Sequence, residues 1–559
     1  PWRGGAFATD PPAQPSTRTE LDVTGRPLEV RGTDGAFQQG YLYHKDKTEV
    51  WDTAFSKTTS HLTVWGQVSS VVPPLGPSTS YTYDARGQLT QTSYGGATST
   101  IEYDLAGRKV AMDDADMGQW SYHYNALGEL VRQTDARDET VGFYYDTLGL
   151  MTGKEYLSTT PPCPTTPSFD VSYGYDDIAS GNLGYGQRTS MIDASGETSW
   201  KYDARGRVIE EVREVDGVAG SFKTAWEYNS ADMPTRIYYP DGNSGNTGEA
   251  VTTTYLSQGT VFAVVGSIVY ASNTRYDAAG RLLSQDRRSK QQKLTSGYFD
   301  WTVPNGLGRL QTLQAGTGAS PASYLSLAYT YDPLGNVETI QEATNSNQMQ
   351  TFDYDELSRL ESASTNGMGS GQYSESYSYN PITGNLATRA GWSYTYGDPD
   401  HPHAVTQAQG AFSTHSYSYD DNGNMTSRTL GSTTYDLTYD PESRLVEVEK
   451  NNNPLEQYTY DGDGARVKVV NGNTTTVYIG DYYEYKVSGG GIGGSTSTAT
   501  RAYYYAGSQR LAVRDSSTGL TMLYGDHLGS ASVAVTSSGA VQRMRYKPWG
   551  EARGTSAGA

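Results

Sequence analysis

Cysteine is nearly absent. Cys163 is the single one, so no disulfide can close within the chain, and its setting, Thr-Pro-Pro-Cys-Pro-Thr-Thr-Pro, reads as a loop carrying an incidental thiol. Long apolar runs are missing too: nothing approaches the roughly 18 residues of a membrane span, and the best candidate, Val261 to Tyr270, is a strand-length run. No helical period of useful length occurs anywhere. Positive charge is in deficit, with 42 Lys and Arg against 62 Asp and Glu, a formal net charge of −20 and a pI near 4.8. Phosphate recognition needs clustered cations, so nucleic-acid binding is not expected as a main function; basic partners or simple solubility are. No signal peptide is visible, and a chain that starts Pro1-Trp2-Arg3 looks like a piece of something longer.

Phenylalanine is scarce, 10 residues against 46 Tyr, and glycine is plentiful at 63. Only 36% of residues are hydrophobic, many of them Tyr, and mean hydropathy is −0.62. That composition suits extended sheets wetted on at least one face better than one thick apolar core.

The tyrosines recur in phase. Tyr417-Ser-Tyr419-Asp420, Leu437-Thr-Tyr439-Asp440 and Tyr458-Thr-Tyr460-Asp461 repeat one phrase at steps of 20 and 21 residues. Self-similarity at a fixed period marks one supersecondary unit copied along the chain. Aromatics alternate with small polar residues, so both rings of a pair leave one face of an extended strand. The Asp that follows favours the first position of a type I turn, and a Gly three residues later supplies the left-handed conformation that closes a hairpin, as in Asp84-Ala85-Arg86-Gly87. Alternating Leu, Val or Ile then returns. Each repeat is about one hairpin, and a lone hairpin is marginal in water, so stability must come from stacking on neighbours.

Residues 1–78 carry a degenerate beginning, with a break at Val72-Pro-Pro-Leu-Gly-Pro77. The clear array spans 79–470, including Tyr83-Asp84-Gly87, Tyr103-Asp104, Tyr202-Asp203 and the triplet above, with inserted loops such as the Thr/Pro-rich stretch after Leu157 and Pro240 to Gly248. Residues 471–559 change style, with a Gly/Ser/Thr-rich tip from Ser488 to Thr498 that reads as a flexible hairpin end. Asp526-His527-Leu-Gly529-Ser530 and Tyr546-Lys-Pro548-Trp-Gly550-Glu551 follow.

These Tyr-Asp repeats resemble the YD repeats of bacterial RHS proteins, relatives of teneurins and of the B/C components of insecticidal toxin complexes. Asp526-His527-Leu528-Gly529-Ser530 through Pro548-Trp549-Gly550-Glu551 looks like the RHS-associated core, and His403-Ala-Val-Thr406 is also similar to that family. The resemblance covers about residues 80 to 551. It implies an all-β chain of hairpins forming a long spiralling antiparallel sheet, a hollow shell or barrel, in a secreted or cell-surface bacterial protein. It further implies a C-terminal toxin-like polypeptide as cargo, with no cofactor. The family's self-cleaving aspartyl protease site would lie beyond Ala559, so no catalytic residue is assigned and the segment is not expected to be an enzyme.

Blander readings compete at each suggestive motif. Asp526 beside His527 could be an acid/base pair, but neighbours on a strand face opposite ways, and a structural turn is expected. His401-Pro-His403 lacks a Cys or carboxylate at ligand spacing, and Asp461-Gly-Asp463-Gly lacks the glutamate of a calcium loop, so no metal is expected. Tyr and Trp faces could stack on surface glycans, although packing is the commoner use. Two functions remain: a shell around its own C-terminal cargo, or an extracellular structural or adhesive protein whose partners are copies of itself or surface glycans.

Overall fold

The computed structural model describes residues 17–32, 35–157, 167–344, 347–367, 370–489 and 496–553. Cys163, most of the Thr/Pro-rich insertion and most of the Gly/Ser/Thr-rich tip lie outside them. Among the described residues there are 47 strands, no α-helix and one 3-10 turn at Ala179–Gly181. Among the described residues no helix is long and apolar enough to cross a membrane.

Each strand pairs antiparallel with the one before it and the one after it, from Arg18–Leu21 to Val541–Arg543, so the chain is one continuous meander. The hairpin Thr79–Tyr83 and Leu89–Tyr94 shows why these residues fold this way. Tyr81 and Tyr83 are half-buried on one face while Ser80 and Thr82 stay exposed on the other. Pairing runs Thr82 with Gln91 and then slips to Tyr83 with Leu89, the bulge that accompanies a type I turn closed by a left-handed residue.

The Val261 to Tyr270 run is not one strand. It divides into Val261–Val265 and Val269–Tyr276, because Gly266 and Ser267 turn the chain and the Gly266 N–H donates to the Ile268 carbonyl at 2.9 Å. The Pro240 to Gly248 insertion likewise contributes its ends to strands Pro234–Pro240 and Thr247–Tyr255, leaving a shorter loop than the sequence suggests.

The meander coils. Turns along one edge carry the Tyr-Asp phrases, and turns along the opposite edge of the earlier coil touch the Tyr-Asp edge of the later one. Thr53 bonds the Pro333 carbonyl 280 residues on, His403 bonds Asp116 across 287, and Lys154 bonds Glu442 across 288. The separation then falls: 264 at Tyr239 with Tyr503, 232 at Gln292 with Tyr524, 219 at Tyr324 with Arg543, and 172 at Glu375 with Lys547. Each turn of the spiral consumes less chain than the last, so the spiral tightens toward its C-terminal end. There the largest apolar cluster forms, joining Phe222, Tyr270 and Leu294 of the earlier coil to Val477, Tyr504 and Val533 of the later one.

Candidate functional site

The repeat turn is the chemical unit of this molecule. At Asp84 the carboxylate oxygen Oδ1 accepts the backbone N–H of Arg86 and of Gln88, both at 2.8 Å, and the Gly87 N–H donates to the Asp84 carbonyl. Gly87 sits at φ 85°, a conformation that costs an L-residue about 1–2 kcal/mol. The same two acceptor bonds recur at Asp104, Asp203, Asp420, Asp440 and Asp461. Asp526 makes them too, accepting from Leu528 at 2.9 Å and Ser530 at 3.0 Å, with Gly529 at φ 84°. Its neighbour His527 packs edge-on against the Tyr329 ring, and burial pushes the imidazole below its ordinary pKa. The pair is thus built as another repeat turn. Lys547-Pro548-Trp549-Gly550 closes similarly, with the Gly550 N–H on the Lys547 carbonyl and Gly550 at φ 91°.

Tyrosine supplies the link between repeats. The Tyr103 hydroxyl donates to the Leu89 carbonyl at 3.0 Å, the first residue of the returning strand one repeat earlier. Tyr83 does so to Val68, Tyr202 to Arg188, Tyr419 to Val405, Tyr439 to Met425 and Tyr460 to Leu445, at 2.6–3.0 Å. Phenylalanine cannot make this bond, which accounts for its scarcity here. Where Arg follows the turn, it locks the corner: Arg108 Nε reaches Asp104 at 2.7 Å while its guanidinium lies 4.8 Å from the Tyr124 ring. Arg207 and Arg281 repeat this on Tyr228 and Tyr298. Backbone and guanidinium donors hold the Asp104 carboxyl below its usual range, and the Arg207 guanidinium does the same for Asp203.

The seam between coils uses the middle residues of these turns. The Asn422 carboxamide accepts the Ala136 N–H at 2.9 Å and donates to Asp135 and Ser443. Arg137 reaches back to the Asp440 carbonyl at 3.0 Å. Glu442 takes Lys154 at 2.8 Å and Tyr156 at 2.9 Å. Asp461 receives Arg213 at 3.1 Å, with both side chains buried, and Gly462 donates to Asp193 at 2.7 Å. A Cβ at Gly462 would stand 2.4 Å from Val171 Cγ1, so only glycine fits that contact. None of these seam partners is visible in the sequence; the available signal is a change of the turn's inner residues from Ala, Arg or Leu to Asp, Asn, Glu or Gly.

The two histidines of His401-Pro-His403 part company. His401 pairs with Asp398 at 2.9 Å on its own turn, and His403 pairs with Asp116 of the earlier coil at 2.6 Å. Among the described residues no group of three or more His, Cys, Asp or Glu could hold a metal. The turns on the Tyr-Asp edge of the earlier coil differ: Leu105, Leu127 and Leu148 are 89%, 78% and 80% exposed.

The RHS Repeat family model matches residues 64–99, and the Teneurin YD-shell model matches residues 382–527. Among solved structures, the chain is similar to TcdB2-TccC3, with a TM-score of 0.78 and 16% identity over 96% of this chain and 31% of that one. The Photorhabdus luminescens Tc holotoxin pore gives 0.77 at 16% identity over 96% and 30%. TcdB2-TccC3 without its hypervariable C-terminal region gives 0.73 at 16% over 96% and 30%. The chain therefore spans less than a third of the length of the structures whose fold it shares. No curated protein matches it.

Proposed function

We propose that the chain, which matches the RHS Repeat and Teneurin YD-shell models and shares a shell-like fold with TcdB2-TccC3, forms part of the wall of a secreted or cell-surface cage around a polypeptide cargo. The observation that carries this reading is the seam: each later Tyr-Asp turn seats on the earlier coil, and the coil shortens from 287 to 172 residues toward one end. A spiral that narrows in this way, with its later turns seated on the earlier coil, closes down around a volume. In this reading residues 1–78 continue a wall begun upstream, 79–470 are its body and 471–559 begin the closing end. The wall's work is confinement, and the proposed partner is the chain's own C-terminal cargo.

Cryo-electron microscopy of the protein as isolated, with mass spectrometry of its fragments, tests this. A tapered particle with interior density from a retained peptide is expected. Ordered fibres, or particles with no interior density and no retained peptide, would overturn encapsulation and leave self-assembly or glycan adhesion as the function.

A further inference from the structure

At the narrow end one hairpin turn departs from all the others. Strand Leu282–Arg287 is joined to strand Gln292–Tyr298 through Arg288, Ser289 and Lys290, which stand at φ 46°, 53° and 70°. In that left-handed conformation each Cβ is crowded against the following carbonyl oxygen. Among the described residues no other run of three non-glycine residues lies there; the longest besides it is the pair Asn451-Asn452, of a residue type that tolerates it. Ser289 and Lys290 are exposed, so packing of their side chains does not impose it.

The turn is gripped by both coils instead. Arg288 donates to the Thr536 carbonyl at 3.2 Å and to the Ser537 carbonyl at 2.6 Å, 248 and 249 residues on. On the earlier coil the Ser289 N–H donates to the Val269 carbonyl at 2.8 Å.

Arg287 adds a second cost at the same place. It is 1% exposed; its Nε donates to Gln285 Oε1 at 2.6 Å, and Nη1 reaches the Leu523 carbonyl at 3.0 Å and the Leu511 carbonyl at 3.5 Å. The Tyr524 ring lies 5.2 Å from the guanidinium. No ion pair with a carboxylate joins these contacts among the described residues, Nη2 has no partner, and burial pushes the guanidinium down to about 10. A buried cation compensated only by dipoles is better placed in water. Both costs exist only while the coils are seated. Once the later strands lift away, Arg287 hydrates, Arg288 loses its carbonyls and the turn relaxes.

We infer that residues 287–290 form a strained catch: it grips strands Gln509–Asp515, Gly519–Gly525 and Ala531–Thr536, and lets them lift from the earlier coil as a unit while the polar seam stays closed. Turn and strands are one two-state element, seated and strained or lifted and relaxed. The narrow end thereby has a built-in opening step. This inference depends on how the coils meet and not on what they enclose, so it stands apart from the encapsulation reading.

Native-state hydrogen exchange of the full chain, in denaturant below the unfolding transition, tests it. The three gripped strands should exchange through one shared opening, at lower denaturant than the seam residues near 171–193 and 461–464. Ser289→Gly and Lys290→Gly, which take positive φ without crowding, should each slow that opening about threefold. Arg287→Met should slow it too, by removing the unmatched charge while keeping the bulk. Arg288→Ala should speed it about tenfold, as loss of charged hydrogen bonds does, and should cancel the benefit of Lys290→Gly, because the grip that holds the strain is gone. Exchange of those strands only together with the seam would overturn the inference. So would faster opening in the glycine variants or in Arg287→Met, or an undiminished effect of Lys290→Gly once Arg288 is removed. Should Arg288→Ala not fold, the glycine variants, altered only at exposed positions, decide the matter.

Discussion

The wide part of the spiral and its narrow end are joined by the same edge-to-edge contact made with opposite chemistry. In the wide part, residues 53–213 meet 333–463 through Asn422, Glu442, Asp461 and their partners, a polar seam of turn against turn. At the narrow end, Tyr270 stacks on Tyr504 at 4.0 Å, Phe222 meets Tyr485 and Val533 is fully buried. Ion pairs of the first kind contribute little energy individually but are directional, so they fix which turn sits on which. Apolar burial contributes most of the stability and is indifferent to register. The division of labour is physical: specificity where the coil is wide and each contact is local, cohesion where it closes.

That contrast can be broken in graded steps. Tyr270→Ala removes a fully buried ring from the narrow end and should cost about 3–5 kcal/mol, read as a lowered unfolding midpoint in denaturant. Gly462→Ala places a methyl group against Val171 in the seam and should cost about 1–3 kcal/mol, with faster hydrogen exchange confined to residues near 171–193 and 461–464. Tyr439→Phe deletes one link between repeats and should cost about 1 kcal/mol, with the exchange increase centred on the strand Met425–Leu430. Leu105→Ser, on an exposed turn, should change stability by less than about 0.5 kcal/mol.

The turn carboxyls and the buried phenols should respond to pH with opposite sign. The Asp104, Asp203 and Asp277 carboxyls are held low, so the stability they give the repeat turns is present above the ordinary Asp value near 3.9 and is lost as pH falls through the lower folded values. At the narrow end, burial raises the phenols of Tyr239, Tyr482 and Tyr524, so that region is stable below the ordinary Tyr value near 10 and weakens as pH climbs above it. Hydrogen exchange followed across pH should therefore show the Asp-capped turns opening in acid, and the strands that hold buried tyrosines, Tyr156 and Tyr173 of the repeats as well as Tyr239 and Tyr482 of the apolar end, opening in base.

The strands and turns were legible in the sequence because their causes are local: Tyr-X-Tyr sets a face, Asp caps a turn, and Gly permits it. Even this code has synonyms. Ser358 and Ser443 occupy the left-handed position at φ 58°, and Ser443 repays the strain with its seam bonds to Arg137 and Asn422. The division of Val261 to Tyr270 was hidden because a tight turn of Gly266 and Ser267 barely interrupts the apolar pattern. The seam was illegible for a different reason. Asn422 and Ala136 are 286 residues apart, and nothing near either names the other.

The central claim is that the sheet coils upon itself in one defined register, and zero-length carbodiimide coupling with peptide mass spectrometry tests it most directly. The Lys154 to Glu442 pair, at 2.8 Å, should yield an amide joining residues 288 apart, and Lys547 to Glu375 one across 172. If only near neighbours such as Lys201 and Glu210, 2.9 Å apart on adjacent strands, become joined, the meander does not coil as described and the account fails.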